Sequence, residues 1–340
     1  MRIFFLLMWM SVPALAGGVP MKWYCDPVAD TVVSLAYNLQ FDRALRMLDE
    51  CSSGGPTSQK WEFFRAVVLW QKHVFLDSVS VADTAVTSRF TRTIDQVIST
   101  GERQLSSFPD DSASLFYTGF ALGYRAKYDA ANGDEFKAAS DGNKGLNYHD
   151  KLLKLCPACY DAYYSRALFN YYTSKLPWML KPLLFILGRS GSADKAYEYL
   201  TLTGSKGEYT KYAAKEILAE LFAHEKKYDS SLVVYHQLIS EFPRASLYYY
   251  DRISWTLMDA DLYRLNISES VQALQSIEGT DLSRLDSLYL AKIYLRLGCS
   301  YQYVGDYTDA RKNFTIAASL PASAECLKVA REHLDEIGSR

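Results

Sequence analysis

Along most of the chain the apolar residues recur three and four positions apart, the spacing that gathers them on one face of an α-helix. Alternating strand-like stretches joined by hairpin turns are absent. Breaks at Gly, Pro, Asn and Asp divide the pattern into roughly fifteen helices, joined by connections short enough to keep successive helices antiparallel. The expected fold class is all-α, assembled from helix hairpins.

One hairpin stands out, over residues 285–321. Its first helix carries Tyr294, Leu297, Gly298 and Tyr301, a turn follows at Gly305-Asp306-Tyr307, and its second helix carries Ala310, Phe314 and Ala317 before Pro321. Small Gly298 and Ala310 let two antiparallel helices approach, while Tyr294, Leu297, Tyr301 and Phe314 fill the gap between them. Such a unit cannot bury its outer apolar face alone, so it predicts hairpins on either side. A second match, within 212–243, runs through Leu218, Ala219, Phe222, Tyr228, Ser231, Tyr235, Leu238 and Pro243. A third begins at Phe41-Asp42 and continues through Ala44, Leu45 and Leu48, inside a first hairpin from about Val28 to Cys51 with its turn at Leu39 to Phe41. Further helices are expected at about 61–78, 89–106, 135–155, 160–174, 193–202, 247–261 and 268–277. A charged helix at 323–338, with Lys328, Arg331, Glu332 and Glu336, reads as the cap that a repeat array needs.

These hairpins resemble tetratricopeptide repeats: 285–321 matches nearly every defining position at nearly the right offset, 212–243 matches well with Ser231 in place of the usual alanine, and the first hairpin matches fairly. The block from Phe116 to Pro177 is also similar to exported bacterial proteins of that type whose role is unknown. The resemblance implies a right-handed superhelical solenoid whose first helices line a concave groove for peptides or partner domains, and it implies no catalysis. One subclass clamps a C-terminal carboxylate with Lys, Asn and Arg, but the corresponding positions here hold Glu216, Glu220, Leu295 and Cys299. The expected groove positions instead include Phe63, Trp70, Phe116, Phe120, Tyr124, Tyr164, Tyr171 and Tyr172. Tyr and Trp suit binding surfaces because they bury large area and keep a polar tip.

Composition narrows the function classes. With 340 residues, 49% hydrophobic and 22% charged, the chain is expected to be ordered, and a net charge of -2 with scattered Lys and Arg offers no basic footprint for nucleic acid. The N-terminus has one charge, Arg2, then the apolar run Ile3 to Met10 and Pro13-Ala14-Leu15-Ala16, an A-x-A cleavage pattern. The run is shorter than the ~20 residues of a spanning helix, so it reads as a secretory signal peptide over 1–16, with a single repeat domain over 17–340. Gly17 and Gly18 stand where a lipobox cysteine would have to follow, and Cys25 lies too far on. Export to the periplasm or cell envelope is therefore expected.

An even count of six cysteines in an exported chain fits disulfides. The hairpin geometry favours Cys25 with Cys51 and Cys299 with Cys326, which leaves Cys156 and Cys159. The C-x-x-C motif Cys156-Pro157-Ala158-Cys159 can lower a thiolate pKa at a helix start. A thioredoxin-type site, however, needs a preceding strand, and a long helix is expected there. Haem attachment needs His where Tyr160 stands, and zinc needs further ligands where only His149 is near. No metal site or cofactor is expected, and no nucleophile elbow or phosphate-binding glycine loop occurs.

The expected function is an exported, non-catalytic scaffold or adaptor that binds a protein or peptide partner in the cell envelope. Two alternatives stand beside it: a periplasmic thiol-disulfide protein using Cys156 and Cys159, and a peripheral membrane protein held by the apolar stretch 176–187. Intact-mass analysis of chain recovered from the envelope should show a mature form starting at Gly17. Fewer than six thiols should alkylate without reductant, and six reactive thiols would rule the disulfides out.

Overall fold

The computed structural model describes residues 25–52, 58–79, 83–174, 191–278 and 284–338. Among them are fifteen α-helices and no strand. Seven antiparallel hairpins follow one another. Helix α1 (Pro27–Tyr37) pairs with α2 (Phe41–Ser52), α3 (Gln59–Ser78) with α4 (Thr84–Ser107), and α5 (Ser112–Ala131) with α6 (Glu135–Leu155). Next, α7 (Tyr163–Ser174) pairs with α8 (Ala193–Lys206), α9 (Lys211–His224) with α10 (Tyr228–Glu241), and α11 (Ser246–Asp259) with α12 (Tyr263–Ser276). Helices α13 (Arg284–Tyr303) and α14 (Tyr307–Ser319) form the last hairpin, and α15 (Ala324–Gly338) covers it. This is the tetratricopeptide-like helical repeat that the sequence predicts.

Five of the hairpins share one turn. Each places its middle residue in the left-handed region, at Leu39, Gly133, Lys226, Asp261 and Gly305. The next N–H then reaches back five residues, as in Gln40 to Leu35, Asp134 to Asp129, Lys227 to Phe222, Leu262 to Leu257 and Asp306 to Tyr301, all at 2.8 or 2.9 Å. This Schellman closure satisfies carbonyls that the helix end leaves open and fixes the reversal. It also explains why α12 begins at Tyr263 rather than near Ser268. Helix α4 likewise begins earlier than expected, because Asp83 accepts a hydrogen bond from the Val86 N–H at 2.9 Å and caps it.

Small residues set the closest helix approaches. A Cβ on Gly298 would lie 2.7 Å from the Phe314 ring, which is the packing predicted for the last hairpin. Between α5 and α6, a Cβ on Gly145 would lie 2.6 Å from the carbonyl oxygen of Gly119, and one on Gly119 would strike the His149 ring at 2.4 Å. His149 is fully buried there. Its Nε2 donates to the Phe116 carbonyl at 3.1 Å and its Nδ1 accepts from the Ser165 hydroxyl at 2.7 Å. Burial lowers its pKa to about 4, so the ring is a neutral packing element.

The array curls until its two halves meet, and α3 is the helix between them. Phe63 packs on Phe116 and Phe120 of α5, and Trp70 on Phe90 of α4. Phe75 packs on Phe41 of α2, Tyr248 of α11 and Tyr289 of α13. At the end of α3, Lys292 Nζ donates to the Ser78 carbonyl at 2.8 Å, and the Ser78 and Tyr289 hydroxyls bond to each other. Nearer the N-terminus, Tyr37 packs with Tyr212 and Phe242, while Asn38 accepts from the Arg244 N–H at 3.1 Å.

A buried carboxylate anchors the same junction. Asp161 accepts from the N–H groups of Glu208, Tyr209 and Thr210 and from the Thr210 hydroxyl, at 2.6 to 2.9 Å. Burial raises its pKa while those four donors favour its charged form. The loop held in this way places Tyr209 against Phe64, where its hydroxyl accepts from the Asp26 N–H at 2.9 Å.

Exposed Lys226 holds a left-handed conformation that costs a side-chain-bearing residue about 1 kcal/mol, which Lys226→Gly should recover. Gly305→Ala should lose about 1–2 kcal/mol at the equivalent turn. Chemical denaturation of both variants checks the pair, and equal effects would contradict the shared turn.

Candidate binding surface inside the superhelix

Position α3 across the concave side, and the expected groove changes character. Phe63, Phe116, Phe120, Tyr164 and Tyr171 are buried, and Trp70 and Tyr124 are half-buried. Of the eight expected groove rings only Tyr172 is exposed, at 53%. The correction has a simple cause: Phe63, Trp70, Phe116, Phe120 and Tyr124 pack on one another across α3 and α5, and Tyr164 and Tyr171 belong to the same core, so what was expected to be lining is largely core. Phe63, for example, touches Phe64, Phe116, Tyr117, Phe120 and Tyr124.

Two carboxylates lie further along the chain, Glu216 within the packed layer and Glu220 partly exposed beside it. Glu216 and Glu220 are one turn apart on α9. Glu216 accepts from the Tyr249 hydroxyl at 3.2 Å, and Glu220 forms an ion pair with Arg252 of α11. Tyrosines gather round Glu216: burial raises the pKa values of Tyr37, Tyr124, Tyr164, Tyr248 and Tyr249, and the charge of Glu216 adds to it. Lys127 donates to the Tyr164 hydroxyl at 3.1 Å. Burial pushes the Glu216 carboxyl up to about 7; the charge of Glu220 adds to this, and Arg252, the Tyr249 hydrogen bond and Lys127 oppose it.

Beyond Arg252 the inner side opens into a cleft of about 410 Å³ between α11, α13 and α15. Asp251, almost fully buried, holds Lys292 at 3.0 Å through one oxygen and Arg296 through the other. Trp255 stands at the rim, 61% exposed, with the Arg296 guanidinium 5.5 Å from its ring. Sequence reasoning missed Trp255, Lys292 and Arg296. Their spacing was visible as Lys292 and Arg296 one turn apart, but α3 and α15, which complete the cleft, come from distant parts of the chain.

The six cysteines stand as free thiols. Cys156 ends α6, and Cys159, fully buried, opens the short 3-10 helix Tyr160–Ala162. Burial pushes the Cys159 thiol well above its ordinary range, and the Cys156 thiol beside it adds to this, which is the opposite of an activated thiolate. Cys299 lies 3.7 Å from His333 Nε2, and burial pushes its thiol up to about 11, against the pull of Arg296. Among the described residues no group of His, Cys, Asp and Glu is arranged to hold a metal ion, and no helix is long and apolar enough to cross a membrane. The apolar stretch 176–187 and the signal segment 1–16 lie outside the described residues.

Among solved structures the chain is similar to several helical-repeat proteins at low identity. BtubC from P. vanneervenii is 15% identical, covers 73% of this chain and 91% of its own, and superposes with a TM-score of 0.42. The C-terminal part of a TPR repeat-containing protein from Cytophaga hutchinsonii is 11% identical, with 88% and 98% covered and a TM-score of 0.43. A tetratricopeptide repeat protein from Parabacteroides merdae is 15% identical, with 92% and 100% covered and a TM-score of 0.34. No protein-family model and no curated protein matches the sequence.

The Glu216 carboxyl carries a pH signature. Its ordinary value of 4.5 rises to about 7 on folding, so between those values the folded chain keeps a proton that the unfolded chain releases. The stability from this group is complete below the lower value and lost as pH rises through the upper one. Glu216→Gln should therefore melt above the parent at about pH 8 and close to it at about pH 4.5, and a difference independent of pH would contradict the assignment.

Proposed function

We propose that this chain is an exported, non-catalytic scaffold that holds a segment of a partner protein against the inner side of the superhelix. One observation carries the reading: the first helices of the hairpins bury most of their aromatic rings, yet leave Tyr172 and Trp255 exposed, Trp255 with the Arg296 guanidinium beside its ring. An exposed Trp with an Arg across its face has the composition of an interface hot spot. Packed hairpins hold these side chains in place before a partner arrives, so association does not have to order them.

The envelope location rests on the N-terminal charge, apolar run and cleavage pattern. The thiol-disulfide alternative finds no support in a fully buried Cys159 with a raised pKa. A photo-crosslinking residue at position 172 should trap a discrete partner in envelope preparations. The same probe at Phe136, 94% exposed at the start of α6, should trap none. Equal trapping from both positions would move the binding surface away from the inner side.

A further inference from the structure

The cleft beside Trp255 discriminates by charge as well as shape. Its floor is apolar, formed by Val79 at the end of α3, Leu288 of α13 and Cys326 of α15, all buried. Its wall is cationic, formed by Arg252, Lys292 and Arg296. Glu220 pairs with Arg252, one buried carboxylate, Asp251, serves both Lys292 and Arg296, and exposed Glu325 also lines the cleft. Burial raises the pKa of the Cys326 thiol, and the nearby Arg296 and Lys292 oppose it. The volume of about 410 Å³ falls within the size of pockets that enclose small ligands or a few side chains.

Resting on the partner-binding reading above, we propose that this cleft seats an internal acidic residue of the partner segment, its carboxylate between Lys292 and Arg296 and an adjacent apolar or aromatic side chain on Trp255. A carboxylate there gains charge-assisted hydrogen bonds from donors that Asp251 leaves unused. An apolar neighbour covers the Trp255 face and the Val79 and Leu288 floor, which a purely electrostatic ligand would leave wet. A nucleic acid fits less well. Its successive phosphates would find no continuous cationic track and would meet Glu220 and Glu325, in a chain of net charge -2.

The test uses a library of short peptides, acetylated and amidated so that no terminal charge is present, and retention on the immobilised mature chain as readout. Retained peptides should be enriched in Glu or Asp next to Leu, Phe or Trp, and exchanging that acid for its amide should weaken binding by roughly tenfold or more. Lys292→Met should abolish the acid preference. Should that variant fold poorly beside Asp251, Trp255→Ser changes an exposed position and should remove the preference for the apolar neighbour. Acid and amide peptides binding alike would overturn the proposal, as would tighter binding of a single-stranded oligonucleotide. Trapping from position 172 together with acid-blind peptide binding would leave the scaffold reading standing and remove the cleft assignment alone.

Discussion

Everything else in this molecule depends on the burial of α3 on all sides. A helix on the outside of a repeat array is apolar along one stripe, whereas Phe63, Phe64, Ala66, Val67, Val68, Leu69, Phe75 and Leu76 cover most of the circumference of α3. Water cannot be excluded from such a helix by its neighbours in sequence alone. It is satisfied only when α11 and α13 come round to meet Phe75, and when the Tyr209 loop meets Phe64. The curl of the array is thus tied to one helix.

The polar contacts at that closure confer specificity rather than bulk stability. Lys292 gives the Ser78 carbonyl a partner at the end of α3, and Asp161 organises three consecutive backbone N–H groups ahead of α9. Because Lys292 is shared between Ser78 and Asp251, the side chain that closes the superhelix also shapes the cationic wall of the cleft. Architecture and binding surface are built from the same contacts.

Much of the fold was legible in the sequence, because hairpins are local. The Gly298 and Phe314 contact, the Gly305 turn and the capping helix all follow from residues within one repeat. Two further turns were harder to see, since Lys226 and Asp261 adopt a left-handed conformation without the glycine that would signal it. The binding surface was the least legible part. Whether Phe63 or Tyr164 lines a groove or fills a core depends on how far the array curls, which no residue within a repeat specifies. The all-round apolar character of α3 was the available signal. It can be read from Phe63 to Leu76, where apolar positions exceed what one face can hold.

Native-state hydrogen exchange resolved by peptide tests the central role of α3 most directly. Backbone amides over 63–76 should be among the slowest of the chain, and alanine at Phe75 should accelerate exchange in α11 and α13 together with α3, because they share one core. Exchange over 63–76 as fast as in the terminal helix α15, or acceleration confined to α3 itself, would contradict a superhelix closed around that helix.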